Sequence, residues 1–402
     1  MTYMGSSIVF ILQRYLTVPH ITLLGSFLLW VPLIGAAFCP NIAWMSLTLG
    51  AFHGLGAGIV HVSLMVVLGE HFDKYLAVAS GLRDAGTTLC AFAFPSLLSF
   101  LHSKYDLRGT LLVYSALSMH VTVVALFLWT QLRYSEKDAH LRDPTTCRGF
   151  SNVCSNAQAS GATMPPEDEG TKTHATANLQ GSVDKGFTSF GRKFAILKAP
   201  RFYIVVLGST VEIYCYTVFL ETIQAYAIDK GAPRRGADIA ITYATIAEIV
   251  GYVGVPLIAD MKFVSRPTLM TACFLLLTPC YALMPHTTWL VTYVVVSALL
   301  VTFIAAASSM RCSLMTQFFG AAQVPLCMAA VGLLLVPVQL SSPMIIAFFR
   351  GTMGSYDNMY RLMAVLHFGM AVLYACLVVH ERRRRRQSIS AVSELCAQVT
   401  KL

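Results

Sequence analysis

Charge is scarce in this sequence. Of its 402 residues 12% are Asp, Glu, Lys or Arg and 56% are hydrophobic. A soluble globular chain is about 25% charged and about 45–50% apolar. So little charge leaves too little polar surface to keep a fold of this size in water, which argues against an ordinary soluble enzyme. Disorder of the whole chain is excluded by the same arithmetic. Other features are missing too. There is no Asn-x-Ser/Thr acceptor, so no N-linked glycan is expected. Met1 to Leu12 lacks the basic start and small-residue cleavage site of a signal peptide. No nucleophile triad, phosphate loop or His/Cys cluster at metal-ligand spacing occurs, so the sequence predicts no catalytic residue, cofactor or metal, and not an enzyme. Eleven cysteines are scattered. Cys90, Cys215, Cys273 and Cys327 fall inside apolar runs and read as small buried residues, while Cys147 and Cys154 sit in a polar stretch without a suitably spaced histidine.

What is present is apolar length. Runs at 18–38, 43–68, 76–101, 110–132, 202–228, 237–259, 267–285, 288–318, 324–348 and 362–380 mostly reach the ~17–25 residues a membrane crossing needs. A shorter run, 2–13, ends at Gln13-Arg14-Tyr15 and reads as a stub. In lipid the spans must be helices, because an open sheet leaves backbone groups unpaired. The expected organisation is an N-terminal bundle over 1–132, a linker over 133–201, a C-terminal six-helix bundle over 202–380 and a basic tail over 381–402. The linker is polar, with Pro165-Pro166-Glu167-Asp168-Glu169 at its centre, and is expected to be mostly disordered. Its last part, 186–200, has the makings of a short amphipathic helix.

The net charge of +9 is distributed as a topology signal. With the linker in the cytoplasm, that side carries Arg14, Lys74, ten linker and linker-edge bases, Lys262, Arg266 and the run Arg382 to Arg386. The other side carries Lys104, Arg108, Lys230, Arg234, Arg235, Arg350 and Arg361. Positive charge gathers on the cytoplasmic face of membrane proteins, so the linker and C-terminus are expected there. The Arg382–Arg386 run reads first as a topology anchor, and binding to anionic lipid headgroups is a compatible reading. Nucleic-acid binding is not indicated, because the bases form no folded patch with interleaved aromatics.

Several stretches resemble the monocarboxylate transporter family of the major facilitator superfamily. Gly69 to Gly86 is similar to that family's G-x-x-F-x-x-R-R-x-x-A-x-G-L-x-x-A-G, with Phe72, Ala79, Gly81, Leu82, Ala85 and Gly86 in place but Tyr75 and Leu76 where the arginine pair stands. Lys104 to Gly109 resembles the Y-G-x-R-G turn, Gly254 to Asp260 the cytoplasmic end of the eighth family helix, and Ser341 to Tyr360 the eleventh-helix region. The resemblance implies an all-α membrane protein with a two-bundle helical fold. Met1 then falls within the second family helix, so the first helix and part of the second are expected to be lacking. The family's eighth helix pairs an acidic residue with an arginine four positions later; here those positions hold Glu248 and Tyr252.

Ionisable residues at membrane depth cost roughly 2.5–3.5 kcal/mol each and usually face a cavity or a partner. Six qualify: Arg83, Asp84, Glu212, Glu221, Glu248 and Arg311. Glu248 and Glu212 are the candidate proton carriers; Glu221 lies nearer the outer end, where solvation is expected. Arg83 and Arg311 are candidate carboxylate receivers, since guanidinium binds carboxylate in a bidentate manner. Asp84 is adjacent to Arg83, so the two point ~100° apart on a helix and are not expected to face one partner squarely. His53 and His61 read as satisfied core histidines, and Tyr214, Tyr216, Tyr243 and Tyr252 as core or cavity-lining rings. Gly50, Gly54, Gly56 and Gly58 form a small-residue stripe suited to close helix packing.

The function these features imply is secondary transport of a small organic anion, with or without a proton, by alternating access in the plasma membrane. Substrate/proton-binding candidates are Glu248, Glu212, Arg83, Asp84, Arg311 and Tyr252. The alternative is a carrier-derived sensor or scaffold without transport, or a fragment of a longer carrier. Some family carriers use a single-span ancillary glycoprotein, which the resemblance permits here.

Overall fold

A computed structural model describes residues 2–72, 74–142, 195–261 and 263–399. Among these, secondary structure is helical throughout, with no strand. After a 3₁₀ turn at Thr2–Met4 come α1 (Gly5–Leu12), α2 (Val18–Ala37), α3 (Ile42–His71) and α4 (Leu76–Arg142). The second half holds α5 (Pro200–Asp229), α6 (Arg234–Asp260), α7 (Arg266–Leu283), α8 (Leu290–Phe319), α9 (Val324–Thr352) and α10 (Asp357–Val399). Nine of the described helical stretches are long and apolar enough to cross a membrane. The apolar part of α4, Leu76–Thr130, counts once among these although it is 55 residues long. At ~1.5 Å per residue it is far longer than the ~30 Å hydrocarbon layer. It breaks at Asp106, which has φ 54° and ψ −174°, and so makes two crossings. The ten sequence spans and the short first helix are accounted for in this way.

Local signals explain the ends. Proline occupies the first turn of α2, α5, α7 and α9, where its missing N–H is no loss. α8 ends at Gly320, whose φ of 86° suits glycine. Residues 133–142, read from the sequence as the start of the linker, continue α4, and 381–399, read as tail, continue α10. Most of the linker, with Cys147, Cys154 and Pro165 to Glu169, lies outside the described residues, as does 186–194. The described end of that stretch is a 3₁₀ turn at Ala195–Lys198.

The distribution of side chains is inverted relative to a soluble protein. Leu82, Phe92, Val123, Val124, Phe127, Leu333 and Val365 are exposed, whereas Asp84, Glu212, Glu248 and Arg311 are buried. That arrangement fits an apolar solvent outside and a polar interior. Cys215, Cys273 and Cys327 are buried as expected, but Cys90, on α4, is exposed. α2 packs on α3 and α4 in the first half; α6 packs on α8 and α7 on α10 in the second. The halves meet where α4 touches α6 and α8, and where α1 touches α9.

Close approach depends on absent side chains at specific points. A Cβ on Gly81 would sit 1.8 Å from the Tyr252 carbonyl oxygen, so only glycine lets α4 lie against α6 there. Gly56 similarly admits the backbone at Leu28, 2.6 Å from its ideal Cβ. Gly50 and Gly86 have nothing within 4 Å, so the expected stripe works at some of its positions and not at others. Beside the Gly81 contact, Asp260 at the end of α6 accepts 2.9 Å from the Val78 backbone N–H and 3.2 Å from Arg266. A buried carboxylate thus satisfies an orphan donor in the first turn of α4 and clamps the two halves together at this end.

Candidate functional site

The remaining buried charge gathers in one cavity of about 190 Å³ between the halves. Tyr3, His61, Arg83, Asp84 and Thr87 come from the first half; Glu212, Ile213, Tyr216, Tyr252, Ile304, Ser308 and Arg311 from the second. Five of the six candidate residues line it. The sixth, Glu248, stands one turn before Tyr252 on α6, behind the phenols of Tyr216 and Tyr252.

Arg311 and Glu212 form a bidentate pair across α8 and α5. Arg311 Nε donates to Glu212 Oε2 at 3.1 Å, and Nη2 donates to both carboxylate oxygens at 2.8 Å. Nη2 also donates to Ser308 Oγ at 2.8 Å. Both residues are almost fully buried, so each charge leans on the other. A topological anchor would have placed Arg311 at the surface, and it is not there.

Arg83 and Asp84 pair with each other. Arg83 Nε and Nη2 both donate to Asp84 Oδ1, at 2.9 and 2.7 Å. The expectation that adjacent helical residues would not meet squarely is corrected here: their Cβ directions diverge, but the long arginine side chain folds back to its neighbour. Arg83 Nη1 is buried without a hydrogen-bond partner.

Glu248 has no arginine. Its Oε1 accepts from the Tyr252 hydroxyl at 3.0 Å and from the Tyr216 hydroxyl. The tyrosine that stands where the family resemblance puts arginine therefore still partners the acidic residue, as a neutral donor in place of a cation. Glu221 is exposed and accepts from Ser342 Oγ at 3.2 Å, in keeping with the solvated reading.

Two further expectations divide. His53 bonds the Leu29 carbonyl through Nδ1 at 2.7 Å and is a satisfied packing histidine. His61 instead faces the cavity and also lines a second one of about 200 Å³ with Tyr3, Ser6, Val62 and Met328. Tyr216 and Tyr252 line the site, Tyr214 packs against the core and Tyr243 is exposed. Sequence reading missed Tyr3, Thr87 and Ser308. Two of these were discoverable, because Thr87 lies four residues after Arg83 and Ser308 three before Arg311, on the same helical face. Tyr3 offered no such signal. Asp260 was also missed as a buried charge, although it ends a stretch that resembles the family.

Comparison with known proteins identifies the family and the fold. A family profile described as Major Facilitator Superfamily matches residues 10–333. Monocarboxylate transporter 14 of Homo sapiens is 32% identical over 88 residues, 22% of this chain and 17% of that protein. Monocarboxylate transporter 12-B of Danio rerio is 23% identical over 246 residues, 61% of this chain and 48% of that protein. These two matches span less than half of the relatives' own lengths. Monocarboxylate transporter 12 of Homo sapiens is 21% identical over 379 residues, 92% of this chain and 70% of that protein. Among solved structures, the major facilitator transporter FucP in its outward conformation superposes with TM-score 0.66 at 12% identity, covering 93% of this chain and 87% of that one. The proton:xylose symporter XylE superposes with TM-score 0.60 at 13% identity, covering 92% and 82%.

Proposed function

The chain belongs to the major facilitator superfamily, and from that membership we propose that it is a secondary transporter for a small organic acid in its carboxylate form, working by alternating access. The observation that carries this reading is the cavity itself. It lies between the two halves, both halves contribute to it, and it brings two arginines, Arg83 and Arg311, together with Asp84 and Glu212 into one space. Rocking of the halves about such a site would expose it to each side in turn. The contacts that would have to break are identifiable: the Gly81–Tyr252 approach and the Asp260 clamp to Val78.

The proposed roles differ between the two acidic candidates. Glu212 is committed to Arg311, and the pair forms the polar floor of the cavity. Glu248, held by hydroxyls from Tyr216, Tyr252 and Thr88, is the proposed proton carrier, if a proton accompanies the substrate. Arg83, with a free Nη1, is the proposed first contact for a substrate carboxylate. Plasma-membrane location with the linker and C-terminus cytoplasmic belongs to the same proposal, supported by the charge bias.

The test is uptake of labelled lactate, pyruvate and other short carboxylates into proteoliposomes, with and without an imposed pH gradient. Saturable uptake of a carboxylate is expected. A folded protein that moves no carboxylate would overturn the reading, and binding without movement would favour the sensor.

A further inference from the structure

The charges facing the cavity balance. Arg83 and Arg311 are matched by Asp84 and Glu212, and each arginine already holds its carboxylate. A bare organic anion would enter a site with no net positive charge. To reach Arg311 it would have to displace Glu212, leaving a carboxylate buried without a partner, and that is among the costliest changes a low-dielectric interior can undergo. A bare cation meets the same obstacle from the other side.

One pair is only half engaged. Both bonds from Arg83 go to Asp84 Oδ1, leaving Oδ2 without a bond from it, and Arg83 Nη1 has no hydrogen-bond partner. A buried donor and an acceptor of opposite charge are therefore available side by side on α4. Three tyrosines, Tyr3, Tyr216 and Tyr252, complete the wall, and aromatic faces attract ammonium groups.

We infer that the solute recognised here is zwitterionic, a short molecule carrying both a carboxylate and an ammonium or similar cation, with its carboxylate on Arg83 and its cation on Asp84 among the tyrosines. Such a solute conserves the number of charge pairs as it inserts and brings no net charge into the membrane interior. It also keeps Arg311–Glu212 intact as the floor. At ~30 Å³ for each water-sized group the cavity holds about six of them, which sets the scale at a short amino acid. This inference rests on the transport reading for its biological meaning, but the binding chemistry is tested separately.

The full chain in nanodiscs is titrated with three probes of nearly equal size: 4-aminobutyrate, butyrate and butylammonium. The expected result is saturable binding of 4-aminobutyrate, at least about tenfold tighter than either singly charged probe. Asp84→Asn should reverse the order, because it leaves the cavity with an excess positive charge: butyrate should gain and 4-aminobutyrate should lose. Arg83→Gln should reverse it the other way, in favour of butylammonium. A merely structural role for either residue would weaken all three probes together. Butyrate binding as tightly as 4-aminobutyrate to the unmodified protein, or no binding of any probe, overturns the inference even if neither variant folds. Counterflow of labelled 4-aminobutyrate in proteoliposomes separates the two readings. Binding without counterflow counts against transport and leaves the zwitterion assignment standing; counterflow of butyrate alone does the reverse.

Discussion

At the scale of single residues, the site is governed by which buried charges have partners. Arg311 and Glu212 are stable in the interior only as a pair. Arg311→Met should therefore destabilise the protein by ~3–5 kcal/mol, because it strands a buried carboxylate. The double variant Arg311→Met with Glu212→Gln should recover most of that loss. Thermal unfolding in nanodiscs measures both, and equal losses in single and double variants would show that the pair is not coupled. Glu248 poses a different question, since only hydroxyls donate to it. Glu248→Gln keeps an acceptor for both tyrosines and removes the titratable group. It should preserve substrate counterflow while abolishing stimulation by a pH gradient; unchanged stimulation would exclude Glu248 as the proton carrier. Arg83, Asp84, Glu212, Glu248 and Arg311 were legible from the sequence, because charge in an apolar run is conspicuous; Asp260, at the end of its helix, was not. Neither was the pairing of these charges. Nothing in the spacing told that Arg311 reaches across to Glu212, 99 positions earlier, or that Arg83 turns back on its neighbour.

At the scale of elements, the helices were legible and their bends less so. α4 reverses at Asp106, where the family turn it resembles has glycine, and a side chain there must tolerate φ 54°. Positions of this kind cost about 1–3 kcal/mol for a residue other than glycine. Asp106→Gly should raise the melting temperature, by the equivalent of about 1 kcal/mol, without altering uptake; a fall in stability would mean that the aspartate side chain compensates for its backbone. Gly81 tests the opposite case. Gly81→Ala places a methyl group against the Tyr252 carbonyl and should separate α4 from α6, lowering both melting temperature and uptake. Gly86→Ala is the control, since nothing lies within 4 Å of it, and should leave both unchanged. If the two variants behave alike, the close approach at Gly81 is not what holds this end shut.

At the scale of the whole molecule, the two halves meet at the Asp260 end of α6 and hold a polar cavity between them inside an apolar exterior. In the topology proposed from the charge bias, that end faces the cytoplasm. An epitope tag placed after Leu402 should accordingly be detected only after permeabilisation, and one inserted at Gly231, in the turn between α5 and α6, in intact cells. The reverse pattern would invert the topology and with it the direction assigned to that end.

The sequence alone determined the solvent, the helical class, the number of crossings and the family resemblance. Each of these depends on local composition: the cost of placing a charge or an unpaired peptide group in lipid is met residue by residue, and it leaves its mark in run lengths and in the scarcity of Asp, Glu, Lys and Arg. Tertiary structure alone decided which of the rare charges neutralise one another, that Tyr216 joins Tyr252 in donating to Glu248, and that Tyr3 and His61 face the same space as Arg83. Those outcomes depend on the rotation and approach of helices distant in the chain, which are set by packing contacts such as Gly81 against Tyr252. A one-dimensional pattern says which face of a helix is polar but not which other helix that face will meet.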